Sequence, residues 1–237
     1  MKHIFLIVSL FSGLPYEIHP EKVQLPSFQK LKLYYPGQKH FGGQFTHSDI
    51  LHSVGVVHHI GFPHDTSAIR LSSVLNKLGP PHSLGRSPIK LSGRFGDSFV
   101  GRNGLQYIYH AIAFGPYLAD KYGEPDLSVL HQVNAVNMKK KYWGKQGILQ
   151  IITYSNTGGK PKGHIALWDC YHLHESNDWI EKNRLVTAAF WETPGALVTL
   201  CTLICKCIKD SIPIAVLQSD GTDTGSEEAK AIPEVKS

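Results

Sequence analysis

A chain of 237 residues that is 42% hydrophobic and 18% charged can bury one sizeable core, which excludes an intrinsically disordered polymer and does not demand a second domain. The formal net charge of +5 favours an anionic partner, such as nucleic acid, an anionic membrane or a bacterial wall. The one dense basic run is Lys139-Lys140-Lys141, too little for a nucleic-acid-binding stripe, and no stretch offers the ~20 apolar residues of a stable membrane span.

Met1-Lys2-His3, the apolar run Ile4 to Phe11 and the small Ser12 and Gly13 have the layout of a secretory signal, so residues 1–24 are expected to be a leader and the protein to be secreted. A buried N-terminal strand is the alternative. Leu25 to Leu31 reads as a brief amphipathic helix closed by Tyr35-Pro36-Gly37. Between Gly37 and Gly61 the periodicity is too weak to assign an element. His58 and His59 point to opposite faces of an extended segment, which makes them poor joint metal ligands.

A helix is predicted from Thr66 to Leu78. Asp65 or Thr66 supplies a cap, Leu71, Val74, Leu75 and Leu78 recur at the helical period, and Gly79-Pro80-Pro81 ends the element. Ser67 then lies at its first turn, where unpaired backbone N–H groups and the positive end of the helix dipole stabilise an anion. A serine at that place is ordinarily a cap. As a nucleophile it would need a well-aimed base, because a hydroxyl is far more basic than a thiol.

Pro80 to Gly104 reads as a long Gly-, Pro- and Ser-rich loop. A helical segment carrying Ile112, Tyr117, Leu118 and Tyr122 ends at Gly123-Glu124-Pro125, and Asp126 to Val136 reads as a further loop. Gly147 to Tyr154, His164 to Trp168 and Val186 to Trp191 are β-rich runs, the first two joined by a Ser-, Asn- and Gly-rich turn. Helices followed by three successive strands imply an α+β fold with an antiparallel sheet. Alternation along the second strand puts His164, Ala166 and Trp168 on one face and Ile165, Leu167 and Asp169 on the other. A carboxylate that orients His164 is therefore expected from the following loop, from Glu175 or Asp178, ahead of Asp169.

All four cysteines, Cys170, Cys201, Cys205 and Cys207, fall in the last third, and spacing does not select a pairing. His172-Leu173-His174 beside Cys170, Asp169 and His164 offers zinc-ligand chemistry but lacks a Cys-x-x-Cys or a helical His-x-x-x-His, so no metal is assigned. Residues 193–218 form an apolar, cysteine-containing extension too short for a membrane span, and the small, polar stretch 219–237 is expected to be a disordered tail.

Several of these segments, in this order, resemble the type VI secretion amidase effector family 4. They are Pro26-Ser27-Phe28 with Tyr35-Pro36, Thr66 to Ser72 followed by Leu75-Asn76 and Gly79, and Tyr107 with Tyr122-Gly123-Glu124-Pro125. Gly163-His164 with Leu167-Trp168-Asp169 and Phe190-Trp191-Glu192 complete the set. The resemblance implies a papain-like, NlpC-type α+β domain over residues 25–192 that cuts peptide crosslinks of bacterial peptidoglycan, with no cofactor and with a cognate immunity protein as partner. By position it places the nucleophile at Ser67, where the family has Cys, the base at His164 and the acid at Glu175, with Asp169 as the less favoured acid. The missing thiol implies either an impaired amidase or a catalytically inactive protein that binds muropeptide or another protein.

Overall fold

The computed structural model describes residues 22–37, 45–56, 65–91, 97–133, 135–154, 159–180, 185–195 and 201. All but residues 22–24 of the expected leader, all but a few residues of the apolar extension and the whole expected tail lie outside the described residues.

The three strands read from the sequence form the middle of a five-stranded antiparallel sheet. Its strands are β3 (Leu127–Gln132), β4 (Lys145–Tyr154), β5 (Lys162–Cys170), β6 (His172–Leu173) and β7 (Leu185–Glu192), in the order β3-β7-β4-β5-β6. Period-two alternation divides the core between its faces. Ile148, Ile165, Leu167 and Trp191 meet the helices α1 (Phe28–Tyr34), α3 (Ser67–Leu78) and α4 (Ala111–Tyr122) through Phe28, Leu71, Leu75 and Phe114. On the opposite face, Leu149, Ile151, Trp168 and Phe190 pack with Met138 of α5 (Ala135–Lys140), Tyr142 and Ile180.

Helix α3 is the central element of the helical layer, buried on every side from Ser67 to Asn76. A helix with that burial has to satisfy its polar side chains internally. Ser72 does so by accepting from the Ile108 N–H at 3.0 Å, and Asn76 by donating to the Gln106 carbonyl at 2.9 Å. These bonds tie α3 to the short hairpin of β1 (Ser98–Val100) and β2 (Gln106–Ile108).

The stretch read as a Pro80–Gly104 loop therefore contains one strand of a hairpin. The Asp126–Val136 loop is corrected likewise, because it holds edge strand β3, of which only Val129 is buried, and the start of α5. A single inward residue in six leaves too faint an alternation to read. Within the unassigned 37–61 stretch, α2 (His47–Val54) begins with a capping box in which the Thr46 hydroxyl accepts from the Asp49 N–H and the Asp49 carboxylate accepts from the Thr46 N–H.

Pro116 lies inside α4 and has no N–H to give the Ile112 carbonyl. Gln150, reaching over from β4, supplies the missing donor: its amide nitrogen lies 3.0 Å from Ile112 O and 2.6 Å from Ala111 O. Gly115 permits this, since a Cβ there would come within 2.2 Å of the Gln150 amide oxygen.

Cys170, at the end of β5, is joined to Cys201 by a disulfide with 5.3 Å between Cα atoms and a sequence separation of 31. Closing a loop of this length restricts the unfolded chain and stabilises the fold by ~3 kcal/mol. Replacing both residues, Cys170→Ser with Cys201→Ser, is expected to lower the urea midpoint by the equivalent of ~3 kcal/mol. An unchanged midpoint would show that the bridge does not restrain the unfolded chain.

Candidate active site

The candidate site forms where the start of α3 meets the outer edge of β5. Strand β6 pairs with β5 only at Trp168 and Asp169, so among the described residues β5 has no strand neighbour on that side at Ile165. Its free N–H must find another acceptor. Ser67 Oγ provides it at 3.0 Å, and the same hydroxyl donates to Asp65 Oδ2 at 3.1 Å. Asp65 Oδ1 also accepts from the Ser67 N–H at 2.9 Å, so Asp65, rather than Thr66, takes up a free donor of the first turn.

Arg70 holds the chain above this helix start. Its guanidinium donates to the carbonyl of Pro36, to that of Phe45 at 2.8 Å and to that of Thr46 at 3.2 Å. Burial pulls its pKa below the ordinary value, and three carbonyl dipoles offset part of the loss of solvation.

His164 comes from β5 directly after Gly163. A side chain at Gly163 would press within 2.8 Å of the Ile112 backbone nitrogen, so glycine is what lets α4 lie over the strand there. The imidazole is 3% exposed and stacks on Trp179 with centroids 4.7 Å apart and planes 9° apart. Nδ1 lies 2.8 Å from Asp65 Oδ2 and Nε2 lies 2.8 Å from Ser176 Oγ. A carboxylate only accepts, so Nδ1 carries the proton. In the neutral ring Nε2 is then an acceptor and Ser176 donates to it.

The structure thus brings Ser67 and His164 to one cluster with Asp65 Oδ2 as their common partner. Glu175 and Asp169 do not touch the imidazole. Glu175 turns its side chain towards Gly37, where Oε2 is buried with no hydrogen-bond partner among the described residues. Asp169, on the opposite strand face as parity requires, accepts from Lys32 Nζ and Gln146 Nε2, both at 2.8 Å. Asp178 pairs with Lys139.

Three residues of the cluster escaped the sequence reading. Asp65 carried a visible signal but only as a cap, whereas Ser176 and Trp179 carried none, because loop residues have no periodicity that aims them. Cys170 is committed to its disulfide, which removes the thiolate that a zinc site beside His172 and His174 would use. Among the described residues no three His, Cys, Asp or Glu side chains are arranged to hold a metal. A cleft of about 530 Å³, lined in part by Leu25, Tyr122, Glu124 and Trp191, shares no residue with the cluster. Concavity alone does not mark the chemistry here, and hydrogen-bond geometry is the better guide.

Two stability measurements test the description of these groups. Ser67→Ala leaves the Ile165 N–H buried without an acceptor and is expected to cost about 1–3 kcal/mol in urea unfolding; a neutral effect would mean that another group can serve that N–H. For Asp169, burial pushes the carboxyl pKa up, but the hydrogen bonds from Lys32 and Gln146 and the Lys32 charge outweigh it and hold the pKa below the ordinary carboxylate value. A folded-state pKa below the unfolded one gives stability that is present above the unfolded pKa and lost as pH falls through the folded one. Asp169→Asn should therefore lower stability at neutral pH and flatten its fall in acid, and a parallel downward shift at every pH would contradict this assignment.

A family profile for the type VI secretion system (T6SS) amidase effector protein 4, Tae4, matches residues 64–191, over half of the chain. No curated protein matches. Among solved structures, Tae4 from Salmonella Typhimurium in its effector–immunity complex with Tai4 is 23% identical, covering 72% of this chain and 100% of that one, with a TM-score of 0.53. The Salmonella typhimurium effector bound to the immunity protein Tai4 from Enterobacter cloacae matches at the same identity and coverage with a TM-score of 0.50. At this identity the structures establish a shared α+β fold, and the profile match establishes the family. The chain belongs to the type VI secretion system amidase effector protein 4 family.

Proposed function

We propose that this protein is directed at the peptide crosslinks of bacterial peptidoglycan, as an amidase effector of this family in which attack by the residue at position 67 is impaired. One observation supports this reading above the others. The Ser67 hydroxyl is engaged on both sides, by the Ile165 N–H and by Asp65, while both nitrogens of His164 are engaged by Asp65 and Ser176.

A serine needs a base that accepts its proton during attack. In this arrangement the proton of Ser67 points at a carboxylate whose other neighbour is the protonated Nδ1. Accessibility argues the same way: Ser67 is 3% exposed, whereas the Asp65 side chain is 21% exposed. An incoming carbonyl meets the carboxylate first, and its negative charge opposes the oxyanion that would develop beside it. What such a protein retains is binding of stem peptides, and the net charge of +5 draws it to an anionic wall.

Secretion fits the Cys170–Cys201 disulfide, which requires an oxidising compartment. The Salmonella Typhimurium effector forms a complex with the immunity protein Tai4. By analogy, a cognate immunity protein is the expected protein partner here. Among the described residues no helix is long and apolar enough to cross a membrane.

The test is Ser67→Cys beside the present protein on purified peptidoglycan. Even the small thiolate fraction of a thiol at neutral pH is a far stronger nucleophile than a neutral hydroxyl, so the cysteine variant is expected to release stem peptides at least ~10²-fold faster, while both sediment with the sacculi. Equal release by the two proteins would contradict impairment at position 67, and failure of either protein to bind sacculi would contradict the proposed target.

A further inference from the structure

The hydrogen bonds of His164 contain a second possibility that does not depend on peptidoglycan. Viewed from the imidazole, Asp65 Oδ2 holds Nδ1–H at 2.8 Å and Nε2 accepts from the Ser176 hydroxyl at 2.8 Å. These are the relations of a serine-hydrolase triad: a carboxylate that fixes the tautomer, an imidazole whose other nitrogen is a base, and a hydroxyl on that base. We propose that Asp65, His164 and Ser176 form such a triad, with Ser176 as the nucleophile and an acyl ester as the class of substrate.

Each supporting group is itself held in place. Asp65 is fixed through both oxygens, Oδ1 by the Ser67 N–H and Oδ2 by the Ser67 hydroxyl, so Ser67 positions the carboxylate instead of attacking. Trp179 stacks on the imidazole within 9° of parallel and sets the plane in which Nε2 points at Ser176. Ser176 is half-buried, on the loop after β6, whereas Ser67 is enclosed by the helix start and the strand edge. Of the two hydroxyls, only Ser176 has both a base and access from solvent.

In the reaction Ser176 Oγ bonds to the acyl carbon while its proton passes to His164 Nε2. The bond between acyl carbon and ester oxygen breaks, and the departing alkoxide takes that proton. Water then attacks the Ser176 ester, gives a proton to Nε2 and releases the acid, after which the proton returns to Ser176. An ester is the substrate class because an alkoxide is a better leaving group than an amine, so acyl transfer to Ser176 asks less of the site than cleavage of an amide, for which the same imidazole would have to protonate the leaving nitrogen fully.

The test uses the full-length protein and a fluorophosphonate probe, with the modified residue located by peptide mass spectrometry. A single adduct on Ser176 is expected, formed at least ~10²-fold more slowly in His164→Ala and absent in Ser176→Ala. Asp65→Asn should suppress labelling while Asp65→Glu, which keeps the carboxylate, restores part of it; equal rates in the two would remove Asp65 from the triad. The adduct site in the unaltered protein needs no variant, so a folding defect cannot hide the answer. An adduct on Ser67 or on another serine, or labelling no greater than that of heat-unfolded protein, overturns the proposal. Sacculus binding and peptide release are read separately, so loss of one reading leaves the other standing.

Discussion

The docking of a helix start against the open edge of a strand is the contact on which this molecule depends. Beyond the two-residue pairing with β6, the outer backbone of β5 has no strand partner among the described residues, and the Ile165 N–H would be stranded in the interior if Ser67 did not accept it. That one bond sets the height of α3 on the sheet and brings Asp65 beside His164. The buried contacts of Ser72 and Asn76 with the β2 strand and of Arg70 with three carbonyls keep the helix from sliding.

Once the helix is placed, the carboxylate at position 65 decides which chemistry is open to the imidazole. A carboxylate at Nδ1 makes that nitrogen a donor and passes the role of base to Nε2, which faces the loop after β6. The histidine of this cluster is thus turned, in proton terms, towards the Ser176 hydroxyl. Ser67 and the placement of Asp65 belong together, since the Ser67 hydroxyl is one of the donors that hold that carboxylate.

Much of this was legible in the sequence. The helix at 67–78 was readable because a 3.6-residue period and a Gly-Pro-Pro stop agree, and the three central strands because each carries a β-rich apolar run. Parity correctly separated Asp169 from His164. Edge strand β3 was not readable because it buries one residue, and the bond by which Gln150 makes good the donor missing at Pro116 joins it to Ile112, 38 residues apart along the chain, and leaves no local trace. The partners of His164 were hidden for the same reason. Spacing can say that a loop returns near the histidine, but whether Glu175 or its neighbour Ser176 faces the ring depends on a single backbone rotation, and Glu175 adopts a positive φ of 45° that turns its side chain elsewhere.

The proton on the imidazole of His164 is the most direct witness to the account. Long-range nitrogen–proton correlation spectra of the ring, recorded on nitrogen-15-labelled protein where His164 is neutral, distinguish the two tautomers. The hydrogen bond to Asp65 predicts a protonated Nδ1 and a bare Nε2, with the Nδ1 proton lost from its shifted position when Asp65 is changed to Ala. A bare Nδ1 with the proton on Nε2 would mean that the ring serves the Ser67 side of the cluster, and the arrangement described above would be contradicted.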